Sequence, residues 1–576
     1  MVVVRLLVVA ALALVLVDPQ VALAQGPAKE PTAVGRGGGA ATVDAYGTQA
    51  AIRTLRRGGN AVDAAVAAAA VLGVTEPYSC GIGGGGFMVI RTADGKVTTI
   101  DSREESPAAM KPNSFFVDGV PPDVDDDFDS VRYSGLSAGV PGTVAGWDKA
   151  LRRYGSWSLK RALRPGVRVA RRGFEVDDTF VSQTEPNVEF FDDIPSTAAI
   201  YLDPDGTPRD VGSTLRNRDL ADTYELIGEK GPRGFYRGAL AEALVNAARR
   251  PPVASDADHD WRPGLLSEED VKRYEALKRD PTRVGYRGFD IWSMGPPSSG
   301  GSTVGEALNI LEGYSDLAAD RTEALHLFLE ASRFSYADRG AYIADPEFFD
   351  VPLAGLLSDD YASERRALID PERAGTSPAA AGDPRPYSST THIVTSDRAG
   401  TVVSYTFTIE STGGNGIVVP GYGFLLNNEL TDFNIDSLTH PNRADGRKRP
   451  RSSMAPTIVT DDGKPLLAVG SPGGSTIITT VLQVLLERLD LGASLPEAIA
   501  APRASQRNTE TTEAEQAFID SPEGQALASS YGHRFEVPAS EVIGAVAALE
   551  FGPGRSVLAA AEPERRGGGS AAVVRP

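Results

Sequence analysis

Apolar and polar positions alternate between helical and strand-like patterns from the first hundred residues onwards. The run Ala61 to Val74 is almost wholly apolar and follows a Gly-Gly-Asn break, which predicts a buried, closely packed helix. Asp63 within it, and its length of fourteen residues, argue against a membrane span. Two alternating segments, Phe87 to Arg91 and Val97 to Ile100, predict strands. The chain therefore mixes helices and strands, and we interpret Gly35 to Gly39 before them as a glycine-rich leader.

Further helices are expected in the middle of the chain. The patterns around Leu151 to Arg172 and over Ala239 to Arg249 are helical. Between the first strands and these helices, Asp123 to Asp129 forms an acidic run. A calcium loop needs spaced oxygen ligands and a glycine turn, which this run lacks, so it is interpreted as a solvated loop.

The sharpest change of composition lies at Pro371 to Ser389, where Pro, Ala, Gly and Ser leave no apolar period. This segment predicts a linker. After it come the β-branched and aromatic runs Thr390 to Ser396 and Thr401 to Ile409, which surround a four-residue turn and predict a hairpin. Pairing Ser396 with Thr401 would place Thr390 within one register step of Thr408, although the sequence does not fix the register.

The N-terminal residues 1–24 have the features of a secretory signal. Arg5 supplies a positive start, Leu6 to Val17 is an apolar core, and Ala22-Leu23-Ala24 has the small-x-small form of a cleavage site. Twelve apolar residues are too few to cross a bilayer, which needs about 20. An uncleaved anchor is the alternative. The expectation is export to the periplasm or the medium, with no membrane anchor after cleavage.

Composition and charge exclude several function classes. The chain has 576 residues, 41% of them hydrophobic, and a formal net charge of -20, so a nucleic-acid partner is not expected. A single cysteine, Cys80, excludes a disulfide framework and thiolate zinc sites. The five histidines form no HExxH pattern, so no metal centre is expected.

Two glycine motifs resemble known functional signatures. Gly81 to Gly86 satisfies GxGxxG, but it follows a helix and precedes a strand, which is the reverse of a dinucleotide-binding turn. Close backbone packing is the expectation there. Gly135 to Gly139 satisfies GxSxG around Ser137, the signature of a serine-hydrolase elbow. A poor preceding strand weakens this assignment, and a serine esterase stays as an alternative.

Thr390 offers a different chemistry. A hydroxyl is a weak nucleophile until a base removes its proton. A threonine at a newly made chain start carries that base itself, because a free α-amino group has a pKa of about 7.7–8.0 and is partly neutral at pH 7. Such an enzyme has to cut its own chain between Ser389 and Thr390. Alone, a threonine that opens a strand is usually only a strand former.

The whole chain supplies the context for Thr390. It resembles the γ-glutamyltranspeptidase (glutathione hydrolase) proenzymes, a family of N-terminal nucleophile hydrolases. The resemblance covers nearly all of the chain after residue 24 and rests on nine segments in order. They are GGNAVDAAVA (58–67), GIGGGGFM (81–88), IDSREESP (100–107), SAGVPGTVAG (137–146), PPSSGG (296–301), TTH (390–392), LLNNELTDF (425–433), RPRSSMAPTI (449–458) and GSPGGSTIITT (470–480).

The resemblance implies a fold and a role for each matching residue. The fold is α+β, a four-layer αββα sandwich built from a large subunit of residues 25–389 and a small subunit of residues 390–576. Thr390 is implied as the nucleophile and Thr408 as the hydroxyl that orients it. The other implied roles are the oxyanion hole (Gly473, Gly474), the grip on the substrate α-carboxylate (Arg103, Ser452, Ser453) and the contacts to its α-ammonium (Glu410, Glu429, Asp432).

Three features depart from the family pattern or lie outside it. Position 410 is Glu where many relatives carry Asn. Only thirteen residues separate Phe433 from Arg447, which predicts an open cleft without a covering loop. Cys80 matches no family role, and a buried inert thiol is expected.

The predicted function is self-cleavage followed by γ-glutamyl transfer. The donor is glutathione or a related γ-glutamyl amide, and the acceptor is water, an amino acid or a peptide. No cofactor is expected, and the two subunits are expected to remain a heterodimer. A cephalosporin-acylase-like amidohydrolase of the same fold and a Ser137 esterase are the alternative enzymes, and a non-catalytic binding protein is the third possibility.

Overall fold

The structure is a computed structural model that describes residues 26–123, 126–376, 378–379 and 390–576. The predicted signal of residues 1–24, the residue Ser389 before the predicted cut and much of the predicted linker lie outside the described residues. Within them the strands are β1 (Thr32–Thr42), β2 (Gly85–Arg91), β3 (Val97–Asp101), β4 (Phe174–Glu175), β5 (Thr214–Leu215), β6 (Thr282–Tyr286), β7 (Phe289–Ser293), β8 (Thr391–Ser396), β9 (Val402–Thr408), β10 (Thr457–Asp461), β11 (Lys464–Gly470), β12 (Ala504–Ser505), β13 (Thr512–Ala514), β14 (Phe535–Glu536), β15 (Ala547–Gly552), β16 (Ser556–Ala561) and β17 (Ser570–Arg575).

The helices of the described residues surround these strands. They are α1 (Ala45–Arg56), α2 (Ala61–Thr75), α3 (Phe128–Arg132), α4 (Thr143–Tyr154), α5 (Leu159–Arg172), α6 (Asp178–Thr184), α7 (Val188–Phe191), α8 (Pro195–Tyr201), α9 (Arg218–Lys230), α10 (Arg233–Tyr236), α11 (Ala239–Arg249), α12 (Glu268–Arg273), α13 (Gly300–Glu312), α14 (Arg321–Tyr342), α15 (Leu353–Leu356), α16 (Asp359–Arg366), α17 (Ile477–Leu489), α18 (Leu495–Ala500), α19 (Gln516–Ile519) and α20 (Pro522–Ala526). No helix of the described residues combines the length and the apolar character needed to cross a bilayer.

Twelve of the described strands form one continuous hydrogen-bonded ladder. Its order is β3-β2-β9-β8-β1-β16-β15-β11-β10-β7-β6, and β17 also pairs with β1. The long strand β1 joins two layers, since Thr32 to Arg36 pair with β16 whereas Ala40 to Thr42 pair with β8. The layers stack on each other, and Ser404 of β9 donates across them to the Val469 carbonyl of β11 at 3.2 Å. The twelve strands therefore form two packed sheets that are joined through β1.

Helices cover both outer faces of the sheet pair. Successive side chains of a strand point to opposite faces, so Met88 and Ile90 of β2 pack in a core with residues of α1, α2, α4 and α5. Phe87 and Val89 of the same strand belong to a second core, which also contains residues of β10, β11, α13, α14 and α17. The order helix, sheet, sheet, helix confirms the predicted α+β sandwich of four layers.

The interpretation of Gly35 to Gly39 as a leader is wrong, because these residues lie inside β1. A Cβ on Gly35 would lie 2.1 Å from the Arg575 carbonyl oxygen, and one on Gly38 would lie 2.3 Å from the Ser396 carbonyl oxygen. Neighbouring backbones therefore leave no room for side chains at these points of the strand. That close approach requires glycine, and a glycine-rich segment lacks the alternation of apolar and polar residues by which a strand is recognised in a sequence.

The predicted helices are confirmed. The alanine-rich segment forms α2, which begins with a capping box in which Asn60 and Asp63 bond reciprocally. The helix predicted at Ala239 to Arg249 is α11. The helical pattern around Leu151 to Arg172 is confirmed as parts of two helices, since α4 ends before Gly155 and α5 begins after Ser158. The acidic run continues into α3, and residues 124–125 within it lie outside the described part.

The predicted hairpin is confirmed with a shifted register. Ser396 pairs with Val402 and Thr391 pairs with Phe407, one residue away from the expected Ser396 to Thr401 pairing. Asp397 donates its N–H to the Thr401 carbonyl at 3.1 Å, so three residues form the turn instead of four. Extending this register by one position sets Thr390 opposite Thr408.

Candidate active site

Thr390 lies immediately before β8 and is 2% exposed. Its hydroxyl is 3.5 Å from the Thr408 hydroxyl at the end of β9. Thr408 Oγ1 is itself held, because it accepts the Glu410 N–H at 2.8 Å. The Thr390 carbonyl accepts a hydrogen bond from Arg566 Nη1 at 3.0 Å. The hairpin thus brings the two predicted hydroxyls together in a fixed arrangement.

The glycine run before β2 makes this arrangement possible. A Cβ on Gly84 would lie 1.8 Å from the Thr408 carbonyl oxygen, and one on Gly83 would lie 1.9 Å from the Leu425 carbonyl oxygen. The run also leads directly into a strand. Its role is close backbone packing beside the candidate nucleophile, as the sequence predicted, and it does not form a nucleotide-binding turn.

A cleft with about 680 Å³ of empty space, including its open mouth, contains Thr390. Eight of the predicted site residues line it together: Thr390, Thr408, Arg103, Glu410, Glu429, Asp432, Ser452 and Ser453. Gly473 and Gly474 precede Ser475, which also lines the cleft. The structure therefore gathers the predicted site from segments that lie far apart along the chain.

Arg103 is fully buried at the cleft and donates to two carboxylates, those of Glu429 and Asp432. Its guanidinium also donates to the carbonyl oxygens of Pro450 at 3.1 Å and Arg451 at 2.9 Å. Burial alone would lower the pKa of Arg103, but the neighbouring carboxylates outweigh this effect and raise it. The guanidinium is therefore a permanent positive charge in the wall of the cleft.

Three carboxyl groups, those of Glu104, Glu429 and Asp432, lie near the single guanidinium of Arg103. Burial raises the pKa of Glu429 to about 7, although Arg103 opposes the shift. Burial and the charge of Glu429 raise the pKa of Glu104 well above its usual range. The Asp432 side chain is 33% exposed, unlike the fully covered Glu429 and Glu104. Asp432 is thus the carboxylate of this group that faces the open cleft.

Glu410, which also lines the cleft, occupies a strained position. Its φ angle is +77°, in the left-handed region that few side-chain-bearing residues adopt. Its carboxyl group accepts from Ser411 Oγ and from Asn428 Nδ2, the latter at 2.5 Å. Burial, Asp432 and Glu429 raise the pKa of Glu410 well above its ordinary value.

Two serine hydroxyls, those of Ser452 and Ser453, also line the cleft. Ser453 Oγ accepts from Arg339 Nη2 at 2.8 Å, and Ser452 Oγ accepts the Met454 N–H at 3.2 Å. No described residue is seen to accept a hydrogen bond from either hydroxyl. Each serine therefore retains one proton that it can donate to an anionic group in the cleft.

Gly473 and Gly474 form a backbone corner at the start of α17. Their φ angles are +132° and +58°, and residues 474–476 make a short 3₁₀ turn that leads into the helix. Within the described part of the chain, neither N–H group donates to a protein acceptor. Unpaired N–H groups at a helix start carry partial positive charge, which suits them to a developing oxyanion.

Comparison with known proteins agrees with this geometry. The model of the family described as gamma-glutamyltranspeptidase matches residues 47–573. The chain belongs to the γ-glutamyltranspeptidase family.

Relatives of the family match over most of their length. The glutathione hydrolase proenzyme of Bacillus subtilis is 40% identical over 499 residues, which cover 82% of this chain and 81% of the relative. The glutathione hydrolase proenzyme of Escherichia coli is 38% identical, with 91% and 90% covered. The crystal structure of a cephalosporin acylase from Bacillus halodurans superposes with a TM-score of 0.82 at 28% identity and covers 97% of this chain and 99% of its own.

Several residues of this family site were not predicted. Glu104 follows Arg103 in the IDSREESP segment but was assigned no role, and Arg339 of α14 positions Ser453. Arg566, which holds the Thr390 carbonyl, lies at a left-handed turn with φ +55°. No local pattern marks Arg339 or Arg566. The neighbouring Arg-Glu pair was the one available signal, since two adjacent opposite charges in a buried segment need partners.

The alternative nucleophile and the single thiol lie outside the cleft. Ser137 is fully buried, and its hydroxyl donates to the carbonyl oxygens of Arg132 at 2.7 Å and Ser134 at 3.0 Å. It is not placed to attack a substrate. Cys80 is buried, and burial raises the pKa of its thiol well above the usual range, as expected for an inert residue.

One cluster of the described residues has the spacing of metal ligands: His326, Glu330 and His533. His326 Nδ1 and His533 Nε2 are 2.8 Å apart and share a hydrogen bond, and Glu330 accepts from Arg333 at 2.6 Å. None of the three lines the catalytic cleft. Protein partners therefore already satisfy this cluster.

Proposed function

We propose that the protein cuts itself before Thr390 and then acts as a glutathione hydrolase and γ-glutamyltransferase. The observation that carries this proposal is the position of Thr390. Its hydroxyl lies 3.5 Å from that of Thr408, in a cleft that also contains Arg103 and Asp432. A nucleophile beside a paired positive and negative group fits a zwitterionic amino-acid substrate.

The first stage is self-processing. Thr390 Oγ1 attacks the Ser389 carbonyl carbon, the peptide C–N bond breaks, and the released amine takes up the hydroxyl proton. Water then hydrolyses the resulting ester, which leaves a Ser389 carboxylate and a free Thr390 with its hydroxyl restored. The products are a large subunit of residues 25–389 and a small subunit of residues 390–576, which remain packed as a heterodimer.

The second stage uses the new terminus. The α-amino group of Thr390, with an ordinary pKa of about 7.7–8.0, removes the proton of its own hydroxyl. Thr390 Oγ1 attacks the γ-carbonyl of the donor, and the N–H groups of Gly473 and Gly474 stabilise the oxyanion. The amine returns the proton to the leaving nitrogen, and a γ-glutamyl ester remains. Water or the amine of an amino acid or peptide then resolves the ester.

The contacts of Arg103 indicate how the donor is held. Arg103 donates to Asp432, which pairs one positive and one negative group of the cleft wall. The α-carboxylate of a γ-glutamyl group replaces Asp432 on the guanidinium and also accepts from Ser452 and Ser453. The α-ammonium then pairs with Asp432 and Glu429. Each buried charge of the substrate is thereby compensated, as desolvation requires.

A second candidate activity is supported by the cephalosporin acylase that superposes over nearly the whole chain. An acylase of this kind would share Thr390 but accept an acyl group without an α-ammonium. Asp432, displaced from Arg103 by the acyl carboxylate, would then face the acyl chain without a counter-charge. Rates on glutaryl and γ-glutamyl anilides distinguish the two activities, and we expect the γ-glutamyl compound to react faster by at least about tenfold.

Export belongs to the same proposal. Removal of residues 1–24 releases the protein into the periplasm or the medium, where it meets extracellular γ-glutamyl compounds and amino-acid acceptors. N-terminal sequencing of protein from the culture medium and the periplasm tests this step, with Gln25 as the expected first residue.

Self-processing is tested on a denaturing gel with N-terminal sequencing of the bands. We expect two chains, the smaller of which begins Thr-Thr-His. Thr390→Ala should give one uncut chain, whereas the matched variant Thr391→Ala, changed at the next residue of the same strand, should still be cut. A fully active wild-type protein that migrates as one chain near 60.7 kDa would refute the mechanism.

A further inference from the structure

A groove with an arginine rim lies between α1 and α5, apart from the catalytic cleft. Five of its lining residues are arginines: Arg53, Arg57, Arg161, Arg164 and Arg168. No Asp or Glu lines it, although the whole chain carries a net charge of -20. Its empty space is about 1130 Å³, including the open mouth. Positive charge is thus concentrated on one concave surface of an acidic protein.

The alanine-rich sequence of α2 creates this groove. Helices α1 and α5 both pack on α2, and its short alanine side chains do not fill the space between them. Of α2, Val71 alone reaches the groove. Gly166 brings α5 close to α2, since a Cβ there would lie 2.6 Å from the Ala70 carbonyl oxygen. The floor is apolar, with Ala50, Val71, Trp157 and Val169 among its residues.

The arginines of the rim lack carboxylate partners. Arg161, Arg164 and Arg168 follow one another at helical spacings of three and four residues, where like charges destabilise a helix. Within the described residues none of the five rim arginines forms a salt bridge, whereas Arg171 of the same helix pairs with Asp222 and Glu225 at 2.7 Å each. Burial and the positive charges of Arg57, Arg172 and Arg53 lower the pKa of Arg168. This side of the helix therefore carries uncompensated repulsion that a bound anion would relieve.

We propose that this groove binds a phosphate ester with an apolar part. The phosphate lies among the guanidinium groups of Arg161, Arg164 and Arg168, whose planar forks donate two hydrogen bonds each to phosphate oxygens. The apolar part lies on the floor beside Trp157 and Val169. Arg161 already stacks on the Trp157 ring at 3.8 Å, so the charged rim and the apolar floor are contiguous. The same chemistry is found in a soluble phosphate ester and in an anionic phospholipid headgroup.

Titration calorimetry with dihexanoyl phosphatidic acid, a phospholipid soluble as single molecules, tests the proposal. Arg161→Glu combined with Arg164→Glu reverses two exposed charges of the rim. Arg152→Glu combined with Arg153→Glu makes the same change of net charge on α4, outside the groove. We expect the rim variant to bind at least about tenfold more weakly and the control to bind like the wild type. Equal melting temperatures and equal γ-glutamyl hydrolysis in both variants report intact folds.

Three results would overturn the proposal. They are no binding by the wild type up to about 1 mM ligand, equal weakening in both variants, and pyrophosphate binding as tightly as the phospholipid, which would remove the role of the floor. Flotation with vesicles identifies the source of the ligand. Binding to phosphatidylglycerol vesicles but not phosphatidylcholine vesicles, lost in the rim variant, assigns the groove to a membrane surface. Calorimetric binding without flotation assigns it to a soluble ester.

Discussion

Replacing Thr408 by Val removes the hydroxyl beside the nucleophile and keeps the branched shape of the side chain. Thr408 Oγ1 is 3.5 Å from Thr390 Oγ1 and accepts the Glu410 N–H at 2.8 Å. An unsatisfied buried N–H costs about 1–3 kcal/mol, and the lost contact to the nucleophile adds about 0.5–1.5 kcal/mol. Part of this cost also destabilises the resting enzyme, and that part does not slow the reaction. We therefore expect the activation free energy of the reaction to rise by about 2–3 kcal/mol, which lowers kcat roughly 30- to 150-fold.

The assay is the release of nitroaniline from γ-glutamyl-p-nitroanilide, with processing followed on a gel. Thr408→Ser keeps the hydroxyl and should retain kcat within about fivefold. The control is Thr395→Val on β8, a buried strand threonine whose hydroxyl donates to the Ala61 carbonyl at 2.8 Å, away from the nucleophile. A Thr408→Val enzyme that is fully processed and has wild-type kcat would refute the role assigned to this hydroxyl.

Arg103→Lys keeps the charge but loses the planar fork, so we expect KM for the anilide to rise at least tenfold in initial-rate measurements, and an unchanged KM would contradict the assigned grip. Burial raises the pKa of Glu429 to about 7, so its ammonium-binding carboxylate form grows from roughly a tenth at pH 6 to nine-tenths at pH 8. KM should therefore fall up to about tenfold over this range, and Glu429→Gln should remove that dependence. Gly470→Ala would place a Cβ 2.3 Å from the His392 ring and should destabilise the protein by about 1–3 kcal/mol in thermal melts. Gly285→Ala, whose Cβ meets no atom within 4 Å, is the control, and equal melting temperatures would contradict this packing.

Local sequence patterns predicted those helices and strands that have a distinctive run of residues within their own sequence. The helices α2 and α11 and the strand pair β8–β9 were found because each has a continuous apolar or β-branched run. The break between α4 and α5 was missed, although Ser158 caps α5 by accepting the Arg161 N–H. The strand β1 could not be found this way, since its glycines are set by the backbones that lie against them.

The candidate site also has one part that local sequence patterns predict and another part that they do not. The hairpin alone places Thr390 near Thr408, because both belong to adjacent strands joined by a short turn. The contact of Arg103 with Asp432 joins residues 329 positions apart, and no periodicity predicts it. Only the resemblance to a family supplied those residues. Glu104 received no role because its raised pKa is a consequence of the burial and charge that surround it in the folded chain.

The order of the strands has a consequence for the protein after self-cleavage. Strands β8 and β9, which follow the proposed cut, lie between β2 and β1, which precede it. The two products are therefore interleaved. Strand β9 of the small subunit pairs with β2 of the large subunit, and β8 of the small subunit pairs with β1 of the large subunit. We expect the nicked protein to unfold in one cooperative transition. Either product made alone would leave long unpaired strand edges, so we expect it to aggregate.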